Sequence, residues 1–519
     1  MRYLLAVLVA LLLPAAAQAE WLEASSAHFV VYADDSERDV RRFAEQLERF
    51  HAAMELVTGL EVQQPSPSNR VTVYMVRNQR QIERLAGSRN IGGFYIPRAG
   101  GSVAFVPRVQ AREGQPAYSM IVLLHEYAHH FLLSTSRFPS PRWLGEGGAE
   151  FFASTEFYAD GGLGIGTPAQ HRGWELELAR NVRAADLVDS AYAWRPTSND
   201  SFYGKSWLLY HYLVFTPERR GQLRGYLAAM VGGMSSLEAA EATFGDLDQL
   251  ERDLQEYLEQ PTMLSMRFRP DQLAIGPITV RQVSAGEADM MQVRIMSKRG
   301  VGREEALDLL ADARKVATRY PGDAAVLAAL AESEYDAGND AEAIAAAEAA
   351  LAIDPGQVNA YLQKGYALFR RAADADDRVA AYRAGVQPFI ALNRIENDHP
   401  LPLLYFYRSF VESGREPSET AVQGLERAAE LAPFDLPLRL NLATVQLQDG
   451  RVEQARANFL PVAYNPHGGQ MAVAARRVIE QIDAGTPPDS DGLRLIFEGG
   501  AASPEAGTEP SGTPGDALD

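Results

Sequence analysis

The chain contains no cysteine, which excludes disulfide bridges, thiolate metal ligands and a cysteine nucleophile. Beyond its first nineteen residues it has no apolar run long enough to cross a bilayer. Lysine is also scarce, because only four lysines stand among the 49 basic residues, and the formal net charge is −19. An acidic chain is a poor partner for nucleic acid or an anionic membrane surface. These absences point away from both as partners.

The amino terminus has the pattern of a targeting segment. Arg2 precedes the apolar run LLAVLVALLL (4–13), and Pro14 and a stretch of small residues follow before Glu20. This pattern predicts a secretory signal peptide, residues 1–19, cleaved after Ala19. The alternative is a membrane anchor, but the run is too short to span a hydrocarbon core of ~30 Å. We therefore expect an exported protein, periplasmic or extracellular, without a stable membrane anchor.

Hydrophobic patterns predict an α+β domain over residues 20–262, with a small sheet ahead of a helical half. A junction at 263–302 is partly strand-like, because ITVRQV and MMQVRIM read as strands. The predicted strands cover 28–33, 71–76, 92–97 and 100–107, and the predicted helices cover 36–57, 118–133, 144–158 and 169–182, with several more between 203 and 258.

An internal repeat follows over residues 303–483. Pro321 and Pro355 are 34 residues apart, and small residues stand between them where two helices would approach closely, at Ala331, Ala343 and Ala350. This segment resembles the tetratricopeptide repeat family, which implies an all-α solenoid and a protein partner. The alternative is a nonrepeating helical bundle. Residues 484–519 are rich in Gly, Pro, Ser and acids, and we expect them to form a disordered tail.

The segment HEYAHHF (125–131) predicts a metal-binding helix. A spacing of four residues places His125 and His129 on one helix face, where both imidazoles can bind one zinc ion, and Glu126 can serve as a general base. Chance produces such a motif in about one chain of this composition in a hundred. His130 is turned about 100° away from that face and is left out as a ligand.

A catalytic zinc site needs a third protein ligand. The next predicted helix offers Glu146 within WLGEGGAEFFA (143–153), after a separation (130–145) that accommodates a helix end, a proline-containing loop and a returning helix.

These motifs resemble the gluzincin metallopeptidases, particularly the aminopeptidase N-type branch, in which the third ligand stands in a W-L-x-E-G-x-A context. The resemblance implies a zincin-like fold with Glu146 as zinc ligand and Glu150 as an acid that hydrogen-bonds a zinc histidine. For Glu150 the alternative is an exposed helix acid. The branch also carries Y-x-K-G, which Tyr203 to Ser206 match except at the last position. By that resemblance Tyr203 donates a hydrogen bond to the oxyanion, with Tyr210 as the alternative.

The chain departs from that branch in three further respects. The spacing between His129 and Glu146 is somewhat shorter than in that branch. The G-x-M-E-N segment is absent, and IGGFYIPRAGGSVAFVP (91–107) supplies the expected edge strand without an acid to bind a free amino terminus. Three functions remain open. The first is an exported metallopeptidase with one Zn²⁺ per chain, a peptide or protein substrate, and a protein partner on the repeats. The second is a tetratricopeptide repeat scaffold with a non-catalytic or structural zinc domain, and the third is zinc-dependent hydrolysis of a nonpeptide bond.

Overall fold

The computed structural model describes residues 21–89, 91–109, 112–135, 140–189, 200–465 and 469–499. The predicted signal peptide and residues 500–519 of the predicted tail lie outside these ranges. Within them, no helix combines the length and the apolar character needed to cross a membrane.

Nine strands form two sheets in the described amino-terminal region. The larger sheet is mixed and has the order β4-β5-β3-β2-β1-β9, in which β2, β3 and β5 run parallel and the remaining pairs are antiparallel. The smaller sheet, β6-β7-β8, is antiparallel. The strands are β1 (Trp21–Ser25), β2 (Phe29–Asp34), β3 (Val71–Val76), β4 (Phe94–Ile96), β5 (Val103–Pro107), β6 (Thr155–Phe157), β7 (Leu163–Ile165), β8 (Met266–Phe268) and β9 (Thr279–Gln282).

Helices pack on the larger sheet and bury the main core between them. Phe43, Leu47 and Phe50 of α1 lie in this core together with Leu124 and Phe131 of α3. The helices of this region are α1 (Glu37–Thr58), α2 (Gln79–Ala86), α3 (Tyr118–Thr135), α4 (Arg142–Ala153), α5 (Gly173–Leu178), α6 (Ala184–Val188), α7 (Phe202–Phe215), α8 (Gln222–Val231), α9 (Ser236–Phe244) and α10 (Leu247–Leu258).

The carboxyl-terminal half is a helical solenoid, as the repeat pattern predicts. Consecutive helices pack as pairs, and the alternate helices α11, α13 and α15 also contact one another, which forms a continuous inner layer. The helices are α11 (Ala285–Arg299), α12 (Arg303–Arg319), α13 (Ala324–Asp336), α14 (Asp340–Ile353), α15 (Val358–Ala373), α16 (Arg378–Gly385), α17 (Gln387–Ile395), α18 (Pro400–Val411), α19 (Glu419–Leu431), α20 (Leu436–Gln448), α21 (Val452–Ala463), α22 (Gly469–Asp483) and α23 (Ser490–Gly499).

The structure corrects the prediction for the junction. MMQVRIM belongs to helix α11, which a capping box of Ser284 and Glu287 initiates. This helix is apolar on two sides, because Met291 packs toward the sheet and Met290 packs toward the repeats, so its sequence resembles a strand. The strand prediction for ITVRQV holds, since β9 pairs with β1. The amino-terminal sheet therefore extends to Gln282, beyond the expected boundary at 262.

Two further predictions need correction. The segment 169–182 is not one helix, because a 3-10 turn (Gln170–Arg172) leads into the short α5. The start of the expected disordered tail, 484–499, contains α23. Leu493, Ile496 and Phe497 occupy one face of that helix and pack into the core of the last repeats, which provides the apolar burial that composition alone did not predict.

The turn between β4 and β5, residues 97–102, connects the two halves. Its Arg98 Nη2 donates a hydrogen bond to the Lys298 carbonyl oxygen over 2.6 Å, and the Ala99 amide donates to Asp435 Oδ2 over 2.7 Å. Ala99 is buried among apolar residues of α19 and α20. Beside the turn, Ser68 donates from both its amide and its hydroxyl to Glu396. The repeats therefore hold the loop that leads out of the edge strand.

Gly100 tests this contact. It lies in the left-handed region at φ 77°, and a Cβ atom there would lie 2.5 Å from Leu401 Cδ1 and 2.8 Å from His399 Cε1. Gly87 has φ 67°, and a Cβ atom added there would meet no atom within 4 Å, so it is a matched control. Both alanine variants incur the left-handed backbone cost, but only Gly100→Ala is overpacked. We expect its free energy of unfolding in urea to fall by about 1 to 3 kcal/mol more than that of Gly87→Ala. Equal losses would contradict this contact.

Candidate metal centre

Helices α3 and α4 bring together the three residues that the sequence predicts as metal ligands. His125 Nε2 and His129 Nε2 lie 3.1 Å apart, and each lies 3.3 Å from Glu146 Oε2. Ligand atoms at ~2.0–2.1 Å from a tetrahedral zinc ion are separated from one another by roughly 3.3 Å. The described residues form no other cluster of three potential ligands of this kind. The donor set and its spacing therefore fit a zinc ion.

Buried polar atoms support the same fit. Glu146 is fully buried, and its Oε1 atom has no hydrogen-bond partner within the described part of the chain. An unsatisfied buried carboxylate oxygen is costly in a protein interior. A cation beside the carboxylate would offset that cost.

The electrostatics of the cluster favour positive charge. Burial alone would raise the pKa of Glu146, but His129 and hydrogen bonds from both imidazoles outweigh it and hold the pKa well below its usual value. Burial alone would lower the pKa of His125, but the carboxylates of Glu150 and Glu146 raise it to about 10. The carboxylates therefore favour positive charge at this position, carried either by an imidazolium or by a bound cation.

Glycines on α4 allow Glu146 to reach the histidines. A Cβ atom at Gly147 would lie 2.4 Å from the backbone oxygen of Ser206 on α7. A Cβ atom at Gly148 would lie 3.3 Å from Leu132 on α3 and from the ring of Tyr210. Helix α4 thus packs closely against both neighbours, and Glu146 lies between them.

Glu150 lies one turn beyond Glu146 and contacts the first histidine. Its Oε1 lies 3.0 Å from His125 Nδ1, and its Oε2 lies 2.7 Å from His171 Nε2. Its side chain is 1% exposed, which does not fit the alternative of an exposed helix acid. A carboxylate on Nδ1 fixes the ring orientation and leaves the Nε2 lone pair directed at the metal position.

Glu126 and His130 face the edge strand. Glu126 is half-buried. Burial of the Tyr95 phenol on β4 raises the pKa of that group, with a smaller contribution from the Glu126 carboxylate. His130 Nδ1 lies 2.6 Å from the Tyr95 hydroxyl, and its ring lies 4.2 Å from that of Phe434. Burial lowers the pKa of His130 to about 3, so this ring is neutral. His130 is thus outside the ligand cluster, as helical geometry predicts.

Tyr203 is located at the start of α7. Arg142 Nη2 donates to its hydroxyl over 3.2 Å. Burial and, to a smaller degree, the charge of Glu146 raise the pKa of Tyr203, so the phenol remains protonated near the ligand cluster. Tyr210, two turns later, packs its ring at 5.1 Å from that of Phe151. Lys205 of the Y-x-K pattern pairs instead with Glu251 at 2.9 Å and is 3% exposed, which is a structural role.

Sequence reasoning missed four residues of this site: His171, Arg172, Glu175 and Arg142. His171 and Arg172 both contact Glu150, and Arg172 also bonds Glu175. The spacing of Arg172 and Glu175, three apart, is a signal of an ion pair on a helix. Their proximity to α4 depends on the tertiary fold, which the sequence pattern does not contain.

Comparisons with known proteins identify no family for the chain. No protein-family model and no curated protein matches it. Similar solved structures include a thermophilic TPR protein of Thermus thermophilus, with TM-score 0.31, 16% identity, and coverage of 42% of this chain and 99% of that one. MamA from Desulfovibrio magneticus has a TM-score of 0.26 and 15% identity, and the match covers 33% of this chain and 91% of that one. Yeast Tom70 has a TM-score of 0.25 and 13% identity, with coverage of 64% of this chain and 76% of that one. TM-scores of this size carry no inference about function.

Two of the three glycines of α4, Gly147 and Gly148, yield a paired prediction. Gly147→Ala places a methyl against the backbone of α7, which cannot move without displacing the helix, so we expect a loss of about 1 to 3 kcal/mol in unfolding free energy and weaker zinc binding. Gly148→Ala meets only side-chain atoms of Leu132 and Tyr210, at 3.3 Å, and gains helix propensity, so we expect a clearly smaller loss. Urea unfolding and a chelator competition assay measure both quantities. Identical behaviour of the two variants would disprove the packing argument.

Proposed function

We propose that the protein is an exported zinc metallopeptidase that hydrolyses peptide bonds. The supporting observation is the triangle of His125 Nε2, His129 Nε2 and Glu146 Oε2 with sides of 3.1 to 3.3 Å. Glu150 behind His125 adds the carboxylate support typical of metal-binding histidines. Export follows from the predicted signal peptide at residues 1–19.

The three ligand residues would hold one Zn²⁺, which when bound supplies Lewis-acid chemistry that activates water and polarises a carbonyl. Glu126, next to His125 on α3, accepts the proton of the attacking water on its carboxylate and then delivers it to the leaving amine. Tyr203 donates its hydroxyl proton in a hydrogen bond to the developing oxyanion. The raised pKa of Tyr203 keeps that proton on the phenol at neutral pH.

The edge strand β4 would hold the substrate. It is the outer strand of the larger sheet beyond β5, and α3 packs against both strands. An extended peptide can pair with such an edge through main-chain hydrogen bonds. The Tyr95 hydroxyl of this strand lies 2.6 Å from Nδ1 of His130, which is one helical turn after Glu126, so a peptide paired there would pass along the helix that carries the general base.

A second candidate function is a protein-interaction scaffold, which the extent of the helical repeats favours. They continue from α11 to α22, and stacked helix pairs present long surfaces to partners. Part of the inner layer near Lys298 is covered by the chain's own β4–β5 turn. A partner protein would therefore use another part of the repeats. In this alternative the zinc site is structural.

Metal analysis tests the ligand set. Three protein ligands with an open position describe a catalytic zinc site, so we expect about one zinc per chain in the purified protein. His125→Ala and Glu146→Ala should each lose the metal, and His130→Gln, which changes the adjacent histidine outside the cluster, should retain it. Elemental analysis of folded protein measures each content. Full occupancy in both ligand variants would show that other residues bind the ion.

Turnover distinguishes peptidase from scaffold. Glu126→Gln keeps the size of the side chain but cannot accept the proton, so zinc content should remain and kcat should fall roughly 10²–10⁴-fold. Tyr203→Phe should lower kcat on the order of 10²–10³-fold, while Tyr210→Phe on the same helix should not. The substrate is first identified by cleavage of an unbiased peptide and protein mixture. If Glu126→Gln turns over that substrate at the wild-type rate, the peptidase mechanism fails and the scaffold alternative replaces it.

A further inference from the structure

Arg172 is a largely buried arginine that contacts Glu150, Glu175 and Tyr203 beside the candidate metal centre. Its Nη2 donates to Glu150 Oε1 over 2.5 Å, and its Nη1 donates to Glu175 Oε1 over 2.6 Å. The guanidinium carbon lies 4.7 Å from the centre of the Tyr203 ring. Its side chain is 13% exposed. One planar cation therefore joins two carboxylates and one aromatic ring.

The first carboxylate leads to the metal ligands. Glu150 Oε1 is also 3.0 Å from His125 Nδ1, so the atom that Arg172 bonds is the one that orients the imidazole. Without the guanidinium, Glu150 would be a buried carboxylate with fewer partners and a rotatable side chain. A metal-binding histidine loses affinity when its carboxylate partner is displaced.

The second carboxylate leads to Tyr203. Glu175 Oε2 accepts a hydrogen bond from the Gly204 amide over 2.9 Å, and this amide belongs to the first turn of α7 directly after Tyr203. An acid at a helix amino terminus stabilises the first turn. Arg172 thus holds the backbone beside Tyr203 through Glu175. Its guanidinium also packs over the ring of Tyr203.

We infer that Arg172 is a positioning residue that sets His125 for metal binding and Tyr203 for oxyanion binding. The part that concerns Tyr203 rests on the proposed peptidase function. The part that concerns His125 requires only the metal site. Arg172 acts on His125 through Glu150, and on Tyr203 both through Glu175 and through its own contact with the ring.

The test compares Arg172→Gln, Arg172→Lys and Arg219→Gln. Arg219 is the matched control, because it is 14% exposed, bonds Asp253 at 2.6 Å and lies 5.3 Å from the ring of Tyr212 at the other end of α7. Zinc affinity is measured by competition with a chelator, unfolding by urea, and kcat and KM on the substrate that the wild type cleaves.

We expect Arg172→Gln to weaken zinc affinity about 10–100-fold, while Arg219→Gln retains wild-type affinity. Arg172→Lys keeps the charge but cannot donate as a planar fork to both carboxylates, so its zinc affinity should still fall about tenfold. In turnover, kcat of Arg172→Gln should fall with little change in KM. Tyr203→Phe should add little further loss in that background, because the two residues act through one contact.

Wild-type zinc affinity in folded Arg172→Gln or Arg172→Lys would overturn the inference, and so would an equal loss in Arg219→Gln. If the glutamine variant fails to fold, the lysine variant decides by the same criterion. Full recovery of zinc affinity in Arg172→Lys would show that only the charge of Arg172 matters, and it would also overturn the inference. A wild type that binds zinc without turnover would refute the peptidase proposal, while the zinc measurements would still decide the role of Arg172 toward His125.

Discussion

The close approach of helix α4 to its two neighbours is the constraint on which the candidate metal centre depends. Glu146 and Glu150 stand on one face of this helix, and both reach His125. They do so because the glycine after Glu146 brings the helix against the backbone of α7. A larger residue would separate α4 from α7 and shift two carboxylates at once. Interiors packed this tightly transmit such shifts to neighbouring groups.

The sequence predicted the parts of this centre that local geometry determines. Helical spacing alone places His125 and His129 on one face and turns His130 away, and the structure has all three in those positions. Glu146 is predicted from the expectation of a third ligand on a returning helix, and the structure places its Oε2 3.3 Å from Nε2 of both histidines. The strands predicted at 71–76 and 92–97 are present as β3 at 71–76 and β4 at 94–96. The positions of the three histidines depend on helical geometry, which involves only residues close in sequence.

The remainder depends on long-range packing, which pattern analysis does not contain. Arg172 meets Glu150 across 22 residues, and nothing in the local sequence indicates that a 3-10 turn carries it there. The strand prediction for MMQVRIM is wrong because helix α11 is buried on two sides, so its apolar residues do not follow a single helical face. The contacts between the repeats and the β4–β5 turn join residues that are far apart in the sequence. Ala99 and Asp435, for example, are separated by 336 positions. The sequence repeats predict the solenoid but not its contact with the β4–β5 turn.

The pairing of β1 with β9 has a consequence for the order of folding. Leu22, among the first described residues, lies opposite Gln282 in the sheet. A chain that emerges from its amino terminus presents β1 long before its outer partner, so one edge of β1 stays open until residue 282 is available. Closing so long a loop is slow compared with forming local helices. During that interval the exposed edge can pair with other strands.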